Sequence, residues 1–439
     1  MVLVMADDQG YGDVAHRGHA ELLTPTLDEL ARTAVCFERF YAAAPVCSPT
    51  RASCLTGRHP SRMGIRGANN GHMPAGELTL AEILREEGYR TGHFGKWHLG
   101  TLTKTEEDSN RGGPKNAEHH APPWEHGFEV CFSTEAKVPT FDPMVTPGRW
   151  AGGVGRNMPE GSPYGTAYWN EHGERVTADL DGDDSRLIVD RALPFIEGAV
   201  EEGRPFFAVI WFHAPHLPVV AGEEHLAPYA ELENRQRRHF LGCLTALDEQ
   251  VGRLRTRLRE LGVAEDTMLW YCSDNGPEGK DGLLGSTAGL RGRKRSLLEG
   301  GVRVPAYLEW PRRLPVQRTI EAPCVTSDYV PTVLAALGLE HDQRPMDGVD
   351  LLPLLDGVRT ERGAPIGFQS RGQATWVGEH LKLVTREGEP AALFDLQEDP
   401  SESHDLAAER PELVLALQRD LAAWRASCAN SAAGADYVE

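Results

Sequence analysis

Three apolar runs, each continuous rather than alternating and each stopped by polar groups, constrain how this chain folds. Val2 to Ala6 runs into Asp7-Asp8, Phe206 to Phe212 into His213 and His216, and Thr267 to Cys272 into Asp274-Asn275. An unbroken apolar strand is buried on both faces, as in a parallel sheet covered by helices. Tyr89 to Phe94 reads as a further strand and leads to Lys96 and His98. Helical stretches alternate with these strands. One starts at Thr24-Pro25, with Leu27, Leu30, Ala31 and Ala34 on one face; another covers Thr79 to Glu87 and is closed by Gly88. Asp184 to Glu202 is expected to kink at Pro194. Residues 234–261 carry a stripe of Phe240, Leu244, Leu247, Val251, Leu254, Leu258 and Leu261, and Asp328 to Leu337 ends at Gly338. The alternation predicts an α/β fold with a large, mostly parallel sheet flanked by helices.

In such sheets ligands sit beyond the carboxyl ends of the strands, so the four polar stops are expected to converge. Asp7, Asp8, Asp274 and Asn275 offer oxygen ligands, which hard cations such as Ca2+ or Mg2+ select. Any one of these residues would serve equally well as a turn or a helix cap. Lys96, His98, His216, Arg51 and Lys294 supply positive charge and proton donors, the clamp that a tetrahedral oxyanion needs. Singly, each histidine reads as a backbone-satisfied one and each lysine as a solvated one. Lys294 belongs to a short basic loop, Gly289-Leu290-Arg291-Gly292-Arg293-Lys294-Arg295, that leads to Glu299-Gly300-Gly301. That loop is either a solvated surface or a ligand contact.

Cys47-Ser48-Pro49-Thr50-Arg51 forms a separate signal. Pro49 suits a first helical turn, and Gly57 suits the end of the same helix. Cys47 would then lie at a helix N-terminus, where negative charge is favoured, with Arg51 one turn away. The segment alone fits an activated or oxyanion-binding cysteine as well as a buried structural one.

The net charge of -20 argues against a nucleic-acid partner and requires that cations for an anionic substrate be gathered locally. No apolar run is long enough to span a membrane. No signal peptide is read, because Val2 to Ala6 leads directly into Asp7-Asp8, as though an upstream segment were missing. The eight cysteines show neither a CxxC pair nor zinc spacing, and leave the compartment open. Residues 1–345 are expected to form a catalytic α/β domain. Residues 346–439 are expected to form a C-terminal α+β subdomain, with short strands near Ala364 to Gln369, Ala374 to Val377, Leu381 to Thr385 and Leu393 to Leu396, and a helix from Pro411 to Arg425. Residues 101–180, rich in Gly, Pro, Asn and His, read as long loops, either functional or disordered.

Taken in order, these motifs resemble the type I sulfatases of the alkaline phosphatase superfamily. Cys47-x-Pro49-x-Arg51 with Leu55-Thr56-Gly57-Arg58 is similar to the family signature, and Gly95-Lys96-Trp97-His98-Leu99-Gly100 to its second signature. Ala6 to Asp13, Ser273-Asp274-Asn275-Gly276, and Lys294 with Glu299-Gly300-Gly301 match in sequence order; Leu393-Phe394-Asp395-Leu396 with Asp399-Pro400 resembles the C-terminal sheet. Thr50, where Ser is commoner, and Cys54, where an aliphatic residue is common, are departures.

The resemblance implies that Cys47 is oxidised to formylglycine by a maturating enzyme. It also implies that one Ca2+ is held by Asp7, Asp8, Asp274, Asn275 and the modified Cys47. A hydroxyl of the formylglycine hydrate would attack sulfur, Arg51 would orient the hydrate, and Lys96 and Lys294 would neutralise the sulfate. His216 would protonate the leaving alcohol, with His213 as runner-up, and His98 would take the proton that lets sulfate leave. Family frequency favours a sulfated carbohydrate over an aryl sulfate. Arg111, His119, His120, Trp124, Arg149, Trp150 and Arg293 are candidate contacts for its organic part. Two alternatives remain at this point. A formylglycine-dependent phosphonate or phosphate ester hydrolase would cleave phosphodiesters faster than matched sulfates. A non-catalytic, calcium-stabilised glycan-binding protein would keep Cys47 intact.

Overall fold

The computed structural model describes residues 1–109, 111–279, 284–340 and 344–437. In chain order the strands are β1 Val2–Ala6, β2 Val35–Phe37, β3 Phe40–Tyr41, β4 Arg90–Lys96, β5 Val130–Thr134, β6 Tyr168–Trp169, β7 Arg175–Val176 and β8 Phe206–Trp211. There follow β9 Leu269–Ser273, β10 Ala306–Glu309, β11 Arg318–Ile320, β12 Cys324–Val325, β13 Ile366–Ser370, β14 Gln373–Val377, β15 Leu381–Arg386 and β16 Ala392–Asp395. Ten of them make one sheet in the order β11-β2-β10-β9-β1-β8-β4-β5-β6-β7. Its centre, from β9 to β5, is parallel throughout, as the unbroken apolar runs predict.

Alternate side chains on these strands feed two cores. Leu3 and Met5 of β1 and Phe207, Val209 and Trp211 of β8 pack on the face that holds Ala52, Cys54 and Leu55. Val2, Val4 and Ala6, with Phe206, Ala208 and Ile210, pack on the opposite face. There they meet Leu27 and Leu30, Ile188 and Ala192, and Leu244, Leu247 and Val251, from the helices Pro25–Thr33, Asp184–Glu201 and Arg235–Glu260. Each of those helices starts with the chemistry its sequence carries. Pro25 sits in the first turn of one, and the Asp183 and Asn234 side chains accept from backbone N–H groups to cap the other two. The Asp184–Glu201 helix runs on through Pro194.

Two more strands, β12 and β3, pair with each other in parallel, and the last four form an antiparallel sheet, β13-β14-β15-β16. One face packs on Val414 and Leu421 of the helix Pro411–Ala432. The other packs on Tyr41, Leu297, Leu298 and Val302 of the larger body. A buried ion group stitches this seam: Lys382 reaches Glu299 at 2.8 Å and Glu402 at 2.9 Å.

Several elements differ from expectation. The outer strands β2, β10 and β11 are only three or four residues long, and β10 pairs antiparallel with β9. β5 lies inside the stretch read as loops, where five residues pair with β4. The C-terminal helix continues past Arg425 to Ala432. Its added turns are held by Arg62, which donates to Ser427 at 2.9 Å and Ser431 at 3.0 Å. Among the described residues, no helix is long and apolar enough to cross a membrane.

Candidate active site

Strand register brings the polar stops level. Ala6 pairs with Ser273, and Gly95 with Trp211, so Asp7, Asp8, Asp274, Asn275 and Lys96 emerge together at one sheet end. Gly95 makes this possible. Its φ is +104°, and a Cβ there would lie 1.9 Å from the Trp211 carbonyl oxygen. The helix Cys47–Thr56 arrives against the same end, with Pro49 in its first turn and Gly57 ending it at φ +69°. Every residue of that helix is buried.

Charges alternate tightly here. Arg51 donates to Asp274 at 2.8 Å and to the Lys96 carbonyl at 2.9 Å, and lies 3.6 Å from Asp7. Its guanidinium also stacks over the Trp211 ring, 5.2 Å from the centroid. Lys96 reaches Asp7 at 2.5 Å, and Lys294 reaches Asp8 at 2.5 and 2.7 Å. Asn275 donates to Asp8 at 2.7 Å, and the Asp8 N–H donates to Asp274 at 3.0 Å. Asp8 takes φ +69°, a conformation Asp tolerates at the cost of strain often stored at functional sites.

Electrostatics separate the carboxylates. Burial pushes Asp7 up, but Lys96, His216, Arg51 and Lys294 overcome it and hold Asp7 well below the usual range. Burial and the neighbouring Asp7 raise Asp274 to about 7. Burial, then Asp274 and Asp7, push the Cys47 thiol well above its ordinary value. In the unmodified chain these surroundings favour the neutral thiol over a thiolate. The Cys47 thiol lies 3.4 Å from Asp7.

The donors suit a hard cation. Ligand atoms of Asp7, Asp8, Cys47 and His216 all lie within 4.8 Å of one another. The Asn275 Oδ1 atom is buried and has no hydrogen-bond partner, an acceptor left for a positive ligand. Oxygen donors in such a cluster favour Ca2+ over softer metals.

The two site histidines differ. His216 directs Nδ1 to the Leu217 carbonyl at 2.6 Å, and its Nε2 is 3.6 Å from Asp8. Burial holds this ring down to about 3. His98 pairs Nε2 with Asn69 at 2.8 Å, while its buried Nδ1 has no partner. Burial, then Lys96, Arg111 and Arg51, push His98 well below its ordinary value. Burial thus favours the neutral form of both rings, and the His98 Nδ1 is left without a partner.

Other expected contacts lie elsewhere or do other work. His213 is fully buried, with Nδ1 on Asp184 at 2.8 Å and Nε2 on Thr134 at 2.7 Å. That double engagement leaves His213 less available than His216 as a proton donor. Arg111 is also buried; it pairs with Glu135 at 2.7 Å and reaches the His98 carbonyl at 3.4 Å, supporting that loop from behind. His119 lies against His72, His120 lies 3.5 Å from Glu125, and Trp150 is covered by Arg235 at 3.7 Å. Trp124 packs against one of the cores, and Arg149 donates to the Arg156 carbonyl. Arg293 donates to the carbonyls of Glu278, Leu284 and Gly285, tying down its own loop.

Lys137 went unread in the sequence. It donates to the Gly153 carbonyl at 3.0 Å and is lowered by burial, then by Lys96 and Lys294, which places its charge beside theirs. Its only sequence signal was its position three residues after β5, a strand too short to recognise.

Comparison with known proteins bears on this site. Residues 1–339 match the Sulfatase family model. Arylsulfatase A of Bos taurus is 32% identical, over 92% of this chain and 83% of its own. N-acetylgalactosamine-6-sulfatase of Canis lupus familiaris is 31% identical, over 85% of this chain and 68% of its own. The crystal structure of Ps i-CgsB in complex with k-i-k-neocarrahexaose is 28% identical with a TM-score of 0.81, covering 96% of this chain and 92% of that one.

Proposed function

This chain belongs to the type I sulfatase family of the alkaline phosphatase superfamily and is a sulfuric ester hydrolase, and we propose that it hydrolyses a sulfate ester on a carbohydrate, using formylglycine made from Cys47 and one Ca2+. The observation that carries the reading is the convergence on Cys47 of three carboxylates, an unpartnered amide oxygen and three buried cations, Arg51, Lys96 and Lys294. The carbohydrate assignment is supported by the relative named N-acetylgalactosamine-6-sulfatase and the solved neighbour bound to an oligosaccharide.

Asp7, Asp8, Asp274 and Asn275 would hold Ca2+ beside residue 47. Formylglycine hydrate and Ca2+ together supply a nucleophilic hydroxyl and a Lewis acid at sulfur. The rest falls to this chain's own side chains. Arg51 is pinned by Asp274 and the Lys96 carbonyl, so it fixes the orientation of residue 47 without paying ordering entropy. Lys96 and Lys294 trade their carboxylate partners for sulfate oxygens and neutralise charge as it shifts toward the leaving group. His216 protonates the leaving alcohol. Entry of an anionic sulfate favours its imidazolium, and a ring that burial holds so low gives its proton up readily. His98 accepts a proton at Nδ1, with Asn69 fixing the tautomer through Nε2.

The test is mass spectrometry of the Cys47 peptide after co-expression with a formylglycine-generating enzyme, alongside sulfate release. Conversion of Cys47 with sulfate release, both lost in Cys47→Ala, is expected. Intact cysteine in active protein would overturn the formylglycine reading. Faster turnover of matched phosphodiesters would overturn the choice of ester.

A further inference from the structure

Beside the site lies a basic groove. A cavity of about 460 Å³ is lined by Arg293, Lys294, Arg295, Arg371 and Arg386, with Glu387 as its one acidic residue. It shares Arg371, Arg386 and Glu387 with a second cavity of about 890 Å³, which adds Arg66 and Arg425. Seven cations thus line adjoining cavities on a chain whose net charge is -20; Arg295 is paired to Glu278 and Lys294 to Asp8, while Arg66, Arg371, Arg386 and Arg425 carry the charge on the outer part of the path. Lys294 belongs to both places: it lines the groove and holds Asp8 in the site.

Two features separate this groove from a merely solvated basic face. Arg371 sits at φ +47° and Arg295 at φ +76°, backbone conformations that a long side chain rarely takes. The Arg371 position is the tight connection between β13 and β14, where Asn or Gly is the favoured choice. The chain accepts strain to put arginine there. Moreover, Arg66 and Arg371 are exposed, and Arg386 lies at a long 3.9 Å from Glu389, so their charge is available to a ligand.

We infer that this groove binds the anionic chain flanking the scissile ester, so that the substrate is a multiply sulfated oligosaccharide rather than an isolated sulfated sugar. The inference rests on the sulfatase reading of the site and deepens it. Arginine forks match sulfate oxygens in pairs, and a groove of separate arginines reads spaced charges along a polymer.

Full-length Cys47→Ala protein is titrated with a heparin hexasaccharide, its desulfated counterpart and a single-stranded oligonucleotide of similar charge. The sulfated hexasaccharide is expected to bind in a salt-dependent way. Exchanging Arg371→Gln and Arg386→Gln together should weaken it roughly tenfold or more. In the Cys47 background the same pair should leave turnover of a small aryl sulfate unchanged, and Arg371→Gly should bind more weakly without loss of melting temperature. Undiminished binding in the double variant, or equal binding of the oligonucleotide, would overturn the proposal. Arginine-dependent hexasaccharide binding by protein that turns over no sulfate ester would support the groove while removing the catalytic reading.

Discussion

Arg51 donates to Asp274 at 2.8 Å, and neither side chain reaches solvent. This contact ties the Cys47–Thr56 helix to the end of β9, so the residue destined for chemistry and the metal ligands share one rigid joint. Removing one partner of a buried pair leaves the other charged and unsolvated, at a cost of about 3–5 kcal/mol. Arg51→Met is therefore expected to lose that much in urea unfolding, together with all turnover. Cys47→Ala, which strands no charge, should stay within about 1 kcal/mol of the parent protein. Equal stabilities for the two variants would remove Arg51 from this structural role.

Removal of divalent metal should also register as stability. Asp7, Asp8 and Asp274 are buried together, and a cation bound only by the folded state stabilises by mass action. Hundredfold excess over its dissociation constant corresponds to about 2.7 kcal/mol. Calorimetry with Ca2+ and with a chelator should show a lower melting temperature in the chelator. Asp8→Asn should shrink that difference, whereas an unchanged difference would place the ion elsewhere.

Much of this site is legible in the sequence because each strand end carries its own chemistry, and parallel register then aligns the ends without long-range information. Ala6 opposite Ser273 is enough to bring Asp7 and Asp8 beside Asp274 and Asn275. The parts that stay hidden depend on partners distant in the chain. β2 spans only Val35 to Phe37, and its neighbours β10 and β11 come from beyond residue 300. Lys137 owes its place to β5, whose pairing with β4 is invisible in five residues. Ala426 to Ala432 lacks a long apolar stripe, and the Arg62 that donates to its Ser427 and Ser431 lies far away in sequence. His213 illustrates the converse: its sequence context matches that of a catalytic histidine, but Asp184 and Thr134 have claimed both nitrogens.

The seam around His59 predicts a pH dependence. His59 packs edge-on against Trp424, with ring centroids 4.8 Å apart, and its Nε2 is buried without a partner. Burial lowers it to about 4. The unfolded chain binds the proton first, so the stability of neutral His59 is full above about pH 6.5 and is lost as pH falls toward 4. From pH 7 to pH 5 the loss is about 2 kcal/mol from this residue. His59→Phe should reduce the fall by that amount in urea titrations at the two pH values; an identical fall would assign it to other groups.

Gly95 tests whether the backbone before Lys96 can tolerate any side chain. It combines φ +104° with a prospective Cβ contact of 1.9 Å to the Trp211 carbonyl oxygen. That oxygen belongs to β8, the central neighbour of β4, and neither strand can give way without breaking the parallel ladder. Overpacking against fixed backbone costs about 1–3 kcal/mol, and the left-handed conformation adds about 1 more for alanine. Gly95→Ala is accordingly expected to lose several kcal/mol in unfolding and to displace Lys96, so residual folded protein should show a fall in kcat larger than its rise in KM. Gly92→Ala serves as a comparison on the same strand: the nearest atoms to its Cβ would be in the rings of Phe94 at 2.7 Å and Phe195 at 3.0 Å, side chains rather than a neighbouring backbone, so its cost should be smaller. If both variants kept full activity, the close backbone approach at Gly95 would have no part in positioning the lysine.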